Sequence, residues 1–434
     1  MKEVTRMSEV KNVLVFPAGT EIALEIHDAL KFSKFVRLFG ATSVPCHAEF
    51  VYAVCEENVP NADDPALIDA LNAIIDKYSI DYVYPAHDSA LLSLARAQAR
   101  LHAPVVSSPL ETVEICRSKN KTYEFLKGAP YLPQSYPDAA SVPGFPVFIK
   151  PSVGQGAVGA RRIDDMPHLV EALSDGVEYA ICEYLPGDEF TVDCFTDRHG
   201  QLRFAAPRQR MRIRAGISVR SRRFAPDEGI LSIARDINSR LAFNGAWFFQ
   251  LKKNAAGEYR LMEIAPRIAG TMCVARNAGV NMPMLTLFNM FGCDVGIIDN
   301  ANAELVDRAF ISRFETDISY DTVYVDFDDT VTVRGKVNTV LMMFLYQARN
   351  AGKRIVLLTK HARDIAQSLD EYAVSPRLFD EIVHLDPGAD KTPYIRPNSI
   401  FIDDSFAERK AVHDICGIPV FDLDMVESLL DWRA

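Results

Sequence analysis

At 434 residues the chain has room for about three domains, on a prior of roughly 150 residues each. Its 48% hydrophobic and 24% charged residues are those of an ordinary globular protein. A formal net charge of -11 argues against nucleic acid as the main partner, and no apolar stretch approaches a membrane span or a leader's apolar region. The eight cysteines include no CxxC pair, so buried thiols in a reducing compartment are expected rather than a zinc site, and a cytoplasmic location with them.

Residues 1–11 are polar and expected to fray. A short buried strand (Val13, Leu14, Val15, Phe16) ends at Pro17-Ala18-Gly19-Thr20, and Ile22, Ile26, Ala29 and Leu30 follow at helical spacing. A strand over 35–39, a helix over 65–77, a strand over 82–84, a helix over 89–100 and a strand over 104–106 complete a βαβ alternation. That alternation predicts a parallel sheet covered by helices. Its strand-end loops, 17–20 and 85–88, are where such a sheet binds ligands. His87 and Asp88 read either as substrate contacts or as an N-cap aspartate beside a solvent histidine.

A helix starts near Pro109 and runs towards Ser118-Lys119-Asn120-Lys121; Lys121 on its own reads as an exposed helix lysine. A strand over 146–149 then delivers Lys150. Pro151 breaks it, and Ser152, Gly154, Gly156 and Gly159 precede an extended run from Arg161. This spacing predicts a glycine-rich hairpin whose amides can approach an anion beside a lysine charge; a plain glycine turn is the competing reading. Lys150, Arg161, Arg162 and the run 208–223 supply local positive charge. Strands are expected over 179–185, with one acid at Glu183, and over 190–195. Further strands over 247–251 and 259–264 pair across a turn at 254–258. Gln250 and Glu263 fall inside these apolar strands, where a polar group either finds partners or holds a ligand.

In this order, the pieces resemble the ATP-grasp superfamily over roughly residues 12–305. The matching stretches are the Lys121 region, Val147-Phe148-Ile149-Lys150-Pro151, the glycine loop, Glu183-Tyr184-Leu185-Pro186-Gly187-Asp188-Glu189, and Met262-Glu263-Ile264-Ala265-Pro266-Arg267. The resemblance implies ATP between two α+β lobes, with Lys121 and Lys150 on its phosphates and the loop of Ser152, Gly154, Gly156 and Gly159 closing over them. Glu183, Tyr184 and Leu185 would hold adenine and Glu189 the ribose. Gln250 and Glu263 would bind one or two magnesium ions, with manganese as an alternative, and Arg267 would steady the transferred phosphoryl group. Arg210 and Arg212 lie where the family places further contacts. Ala265 departs from the pattern, which has asparagine there as a second-metal ligand.

The C-terminal third follows a polar link over 304–321. A buried strand (Val323, Tyr324, Val325) ends in Asp326-Phe327-Asp328-Asp329-Thr330, and residues two apart in an extended chain share a face, so Asp326 and Asp328 are expected to converge. A helix over 337–351, a strand over 354–359 ending in Thr359, then Lys391, and a strand over 399–402 capped by Asp403-Asp404 predict a second parallel sheet with polar strand ends. Together these residues resemble the haloacid dehalogenase-like phosphatases over roughly 321–434. The resemblance implies Asp326 as nucleophile, Asp328 as general acid/base, Thr359 on the phosphoryl oxygens, and Lys391, with Lys360 as rival, neutralising charge. One magnesium would sit on Asp326, Asp328, Asp403 and Asp404. The short gaps leave little room for a cap.

The expected fold class is α/β and α+β multidomain: an N-terminal parallel sheet (1–108), a two-lobed ATP-grasp fold (109–305), and a small Rossmann-like phosphatase domain (320–434). The expected function is an ATP-dependent ligase of a small carboxylate and an amine, joined to a phosphatase acting on a phosphorylated substrate. A small-molecule kinase with attached phosphatase and a non-catalytic ATP-binding protein are the alternatives. Neither nucleic acid nor membrane is an expected partner, and oligomeric state stays open, a homodimer included.

Overall fold

The computed structural model describes residues 9–300 and 304–433. The chain divides into two compact units, with the break between Phe310 and Ile311. Of the polar start expected to fray, residues 1–8 lie outside the described residues, and from Lys11 the chain is already strand. Among the described residues no helix is long and apolar enough to cross a membrane.

The first unit opens with a four-stranded parallel sheet in the order Cys55–Glu56, Val36–Ala41, Lys11–Phe16, Tyr82–Pro85. Val105 adds a single parallel bridge to Val83 where a full strand was expected. The helix expected over 65–77 spans Leu67–Tyr78, and that over 89–100 is Asp88–Arg96 followed by a short 3-10 turn. The helix after Pro109 is two helices, Leu110–Arg117 and Lys119–Phe125, because Ser118 is extended and its hydroxyl caps the second by accepting from the Lys121 amide.

Two antiparallel sheets complete this unit. One runs Ser135–Tyr136, Tyr179–Glu183, Val147–Pro151, Arg161–Ile163, so the glycine segment does join two antiparallel strands. The other has six strands, in the order Tyr259–Ala265, Gly245–Lys253, Glu189–Thr196, Leu202–Arg214, Ile217–Arg223, Leu305–Asp307. Alternation along Gly245–Lys253 sends Trp247, Phe249 and Leu251 into a core under the helix Glu228–Arg240, which buries Ile230, Ile233, Ala234 and Ile237 at helical spacing. Phe243 stacks flat on Trp247 at 4.0 Å.

The run 208–223, expected to supply local positive charge and further contacts at Arg210 and Arg212, had no secondary structure assigned to it from the sequence. It is a long hairpin turning at Ala215 and Gly216, with arginines where a strand usually alternates apolar residues. Its charges are largely answered within the sheet. Arg208 pairs with Asp193 at 2.8 Å, each side chain 3% exposed, while Arg212 and Arg220 share Asp307. The strand Leu305–Asp307 lies inside what read as a polar link.

The second unit holds a five-stranded parallel sheet in the order Glu381–His384, Arg354–Thr359, Thr322–Val325, Ser399–Ile402, Val420–Phe421, plus a small hairpin of Thr332–Val333 and Lys336–Val337. Helix Thr339–Asn350 buries Leu341, Phe344, Leu345 and Ala348 on one side of it.

Breaking a buried ion pair strands the surviving charge, so Asp193→Ala is expected to destabilise the first unit by about 3–5 kcal/mol. In a Trp432→Phe background the fluorescence of Trp247 reports this unit's urea transition. The paired replacement Asp193→Leu with Arg208→Met should recover most of the loss.

Candidate functional site

The main cleft of the first unit forms where the strand Val147–Pro151, the glycine loop and the strands Gly245–Lys253 and Tyr259–Ala265 meet, a space of about 180 Å³ lined by Lys119, Lys150, Gly154, Gly156, Glu189, Gln250 and Glu263 among others. Gln250 and Glu263 stand opposite each other across the two strands, and the register slips by one residue just after Gln250, so that Leu251 pairs with Leu261. This bulge keeps Leu261 and Ile264 in the core while Met262 and Glu263 both face the cleft. The Met262 carbonyl accepts from Lys150 Nζ at 2.7 Å and from the Tyr123 hydroxyl at 3.0 Å. Burial pushes the Lys150 ammonium below the usual lysine range.

The second lysine of the cleft is Lys119. As first residue of its helix it lies inward, its Nζ 4.0 Å from Glu263 Oε2, too long for a hydrogen bond. Lys121, expected on the phosphates, is exposed and does not line the cleft. The Ser118 cap sets this phase, and Ser118 is tied to Ser152 by a hydroxyl pair at 2.8 Å and by the Lys119 amide donating to the Ser152 carbonyl. Ser152 is fully buried in that tie rather than presented to a ligand. Two lysines two residues apart were visible in the sequence; which faces inward depended on where the helix starts.

Gly154 and Gly156 line the cleft; Gly159 does not. Gly159 has a positive φ of 75°, and a Cβ there would fall 2.9 Å from the Pro151 ring, so it serves the turn. Arg117 donates to the Gly154 carbonyl at 3.0 Å, and Gly216 is packed so closely on Gly156 that a Cβ would sit 2.1 Å from its carbonyl carbon. Glu183, Tyr184 and Leu185 lie outside the lining. Glu183 accepts from the Gln134 amide, Tyr184 lies under Arg162, and Leu185 is buried.

Arg210 ties the cleft together. One guanidinium nitrogen donates to Glu189 at 2.6 Å and to Gln250 at 2.7 Å, and the other to the Gly216 carbonyl at 2.8 Å. The Gln250 oxygen, expected on a metal, is thus engaged by a cation, whereas Glu263 has the Lys119 ammonium at 4.0 Å. Arg212 is exposed and paired with Asp307.

A second space of about 260 Å³ shares Gly154, Gly156, Arg210, Gln250 and Glu263 with the first and reaches Thr20, His87, Asp88 and Arg267. A third, about 500 Å³, lies at the strand-end loops and includes Thr20, Thr42, Asn61 and His87. Asp88 is not the cap: His87 is, its Nδ1 accepting from the Ser89 amide, and Asp88 takes a two-pronged bond from Arg267 at 2.6 Å on each prong. Burial pushes Asp88 upward, but the guanidinium overrides it and holds the carboxyl at about 2. Arg267 therefore lines this space as half of an ion pair.

In the second unit, the parallel register Val325 against Ile402 places the next residues, Asp326 and Asp403, side by side at the strand ends. Lys391, 3% exposed, bridges them at 2.6 Å and 2.7 Å. Burial pushes Asp326 up to about 6 against the pull of Lys391, and pushes Asp403 upward as well. Oxygens of Asp326, Asp403 and Asp404 lie within 4.8 Å of one another. The Thr359 hydroxyl is buried without a partner among the described residues. Lys360 is instead paired with Glu408.

Asp328 is not in the carboxylate group of Asp326, Asp403 and Asp404. The strand ends at Val325, and Asp326 and Asp328 keep extended backbone before the chain turns at Asp329, φ 48°. The carboxylate that meets Asp326 comes from the neighbouring strand, and the Asp328 side chain goes to His361. His361 drew no notice in the sequence, where it carries no motif beyond following Thr359-Lys360.

A family model described as ATP-grasp in the biosynthetic pathway with Ter operon matches residues 177–306. The carbamoyl phosphate synthase large chain of Thermoplasma acidophilum is 23% identical over 297 residues, which are 60% of this chain and 28% of that protein. The chain thus spans just over a quarter of that relative's length. Among solved structures, biotin carboxylase of Campylobacter jejuni superposes with a TM-score of 0.55 at 16% identity, covering 68% of this chain and 74% of that one. An L-amino acid ligase of Bacillus licheniformis gives 0.53 at 21%, covering 64% and 73%. With the two antiparallel sheets and the glycine loop between them, these likenesses identify the fold: the chain carries an ATP-grasp fold.

Proposed function

We propose that the first unit is an ATP- and magnesium-dependent ligase that activates a small carboxylate as an acyl phosphate for attack by an amine, and that the second is a magnesium-dependent phosphatase of the haloacid dehalogenase-like type. The observation that carries the first reading is the meeting of Lys119, Lys150 and Glu263 under the glycine loop in one cleft. Two lysines little exposed to solvent beside a glycine-rich loop suit phosphate oxygens. The names of the relatives, a synthase, a carboxylase and an amino acid ligase, favour ligation. Residues 1–108, 109–305 and 320–434 are read as the three domains of this enzyme.

In this reading Lys119 and Lys150 take the phosphates and the glycine loop excludes water above them. Glu189 takes the ribose once Arg210 releases it, and the 183–185 strand end is read beside the adenine. Glu263 holds magnesium, joined by Gln250 where Arg210 lets go of the amide. Bound magnesium neutralises charge on the phosphate oxygens. The carboxylate substrate occupies the space by Thr20, His87 and Arg267, whose fixed fork faces developing negative charge. The unit's contribution is positioning and charge, not covalent chemistry.

In the second unit, the carboxylate set of Asp326, Asp403 and Asp404 matches a hard cation's preference for oxygen, and relief of two crowded buried carboxylates favours it. Asp326 is the nucleophile on phosphorus, Lys391 neutralises it and the incoming phosphate, and the unpartnered Thr359 hydroxyl is free for a phosphoryl oxygen. Asp328 moves the proton.

One observation favours a second reading, a kinase whose product the phosphatase removes. Ala265 cannot ligate a second metal and Gln250 is held by Arg210, so the metal set is thinner than the family's pattern.

Lys119→Ala is expected to weaken Mg-ATP binding by calorimetry by about tenfold to a hundredfold, as for one charge-assisted contact, while Lys121→Ala leaves it unchanged. A loss from Lys121→Ala with none from Lys119→Ala would return the role to Lys121. Phosphorus NMR of Mg-ATP with pooled carboxylates and amines should give ADP and phosphate from both wild type and Asp326→Asn, only when acid and amine are both present. A new phosphorus resonance surviving only in Asp326→Asn would mean the kinase.

A further inference from the structure

Asp328 stands largely in solvent, its side chain 54% exposed, and yet it is held. Its two oxygens lie 2.9 Å and 2.8 Å from His361 Nδ1. The imidazole is itself buried and fixed from several sides. Its Nε2 meets the Ser368 hydroxyl at 2.7 Å, on the helix Ile365–Glu371, and the edge-on ring of Phe327 lies 5.0 Å away at 71°. The His361 carbonyl accepts from His384 Nε2 at 2.6 Å. A buried histidine anchored by both its ring and its backbone, spending one nitrogen on an exposed carboxylate, does little for the core. A free carboxylate on a turn would sample several rotamers, and a proton donor must sit in hydrogen-bond reach of the leaving oxygen.

Resting on the phosphatase reading of this unit, we propose that His361 is a positioning residue that fixes the Asp328 carboxyl group for proton transfer. In the first half-reaction an Asp326 oxygen bonds to phosphorus, the phosphorus–oxygen bond to the alcohol breaks, and that oxygen takes the Asp328 proton. In the second, water attacks the aspartyl phosphate and gives its proton back to Asp328. Inorganic phosphate leaves and Asp326 is restored. His361 exchanges no proton in either half. It sets where Asp328 stands, and Ser368 sets where His361 stands.

The signature is dependence on the leaving group, because a good leaving group needs no proton and a poor one does. The full-length chain with magnesium is assayed on p-nitrophenyl phosphate and on phenyl phosphate. His361→Ala is expected to lower kcat for phenyl phosphate by about tenfold to a hundredfold at unchanged KM, and to affect p-nitrophenyl phosphate several-fold less. His361→Asn, whose amide can donate to the same carboxylate, should restore most of the loss. Ser368→Ala should give a smaller loss with the same leaving-group bias, and these two variants decide the matter if His361→Ala does not fold. Equal losses on both substrates, a change confined to KM, or no rescue by asparagine overturns the positioning role while the phosphatase stands. A wild-type chain that hydrolyses neither compound overturns the phosphatase reading and the proposal with it.

Discussion

The one-residue slip between Gln250 and Leu251 is the constraint on which the first unit's cleft depends. A regular ladder would alternate Leu261, Met262, Glu263 and Ile264 between faces, and one of the two apolar residues that now fill the core would be turned out. The bulge lets Leu261 and Ile264 both stay in and aims Glu263 at the cleft. It also places the Met262 carbonyl where Lys150 and Tyr123 converge on it, which fixes a buried ammonium that would otherwise lack a partner. Packing of the core and placement of the polar groups are therefore settled by the same irregularity.

Several charged groups that could serve a ligand are already partnered in this structure. Arg267 holds Asp88, Arg210 holds Glu189 and Gln250, and Lys391 holds Asp326 and Asp403. The reason is the cost of desolvation: a half-buried guanidinium or carboxylate left alone is expensive, so each finds its opposite within the site. A ligand entering either unit exchanges one partner for another rather than filling an empty field, and its net affinity is the difference between the two sets of contacts.

Both parallel sheets run outward from their first strand, with that strand beside the one that reverses the order. Polar groups gather in each at that place, because neighbouring loops there leave the sheet in opposite directions and open a crevice. In the first unit it is the space by Thr20 and His87. In the second it is the pair Asp326 and Asp403, residues 77 positions apart by number yet adjacent by register, since Val325 stands against Ile402.

The sequence by itself determined the alternation of strands and helices at both ends, the glycine hairpin after Lys150, the pairing of the strands that carry Gln250 and Glu263, and the strand-end positions of Asp326, Thr359 and Asp403. These follow from local periodicity, from turn residues and from strand partners close in sequence. Tertiary structure decided the rest. The phase of Lys119 over Lys121 depended on a cap tied to Ser152, thirty-odd residues away. The arginine-rich hairpin was unreadable because its charges are neutralised by Asp193 and Asp307 from other strands, which no local pattern reveals. The partner of Asp328, His361, lies on a loop that only the folded sheet brings near.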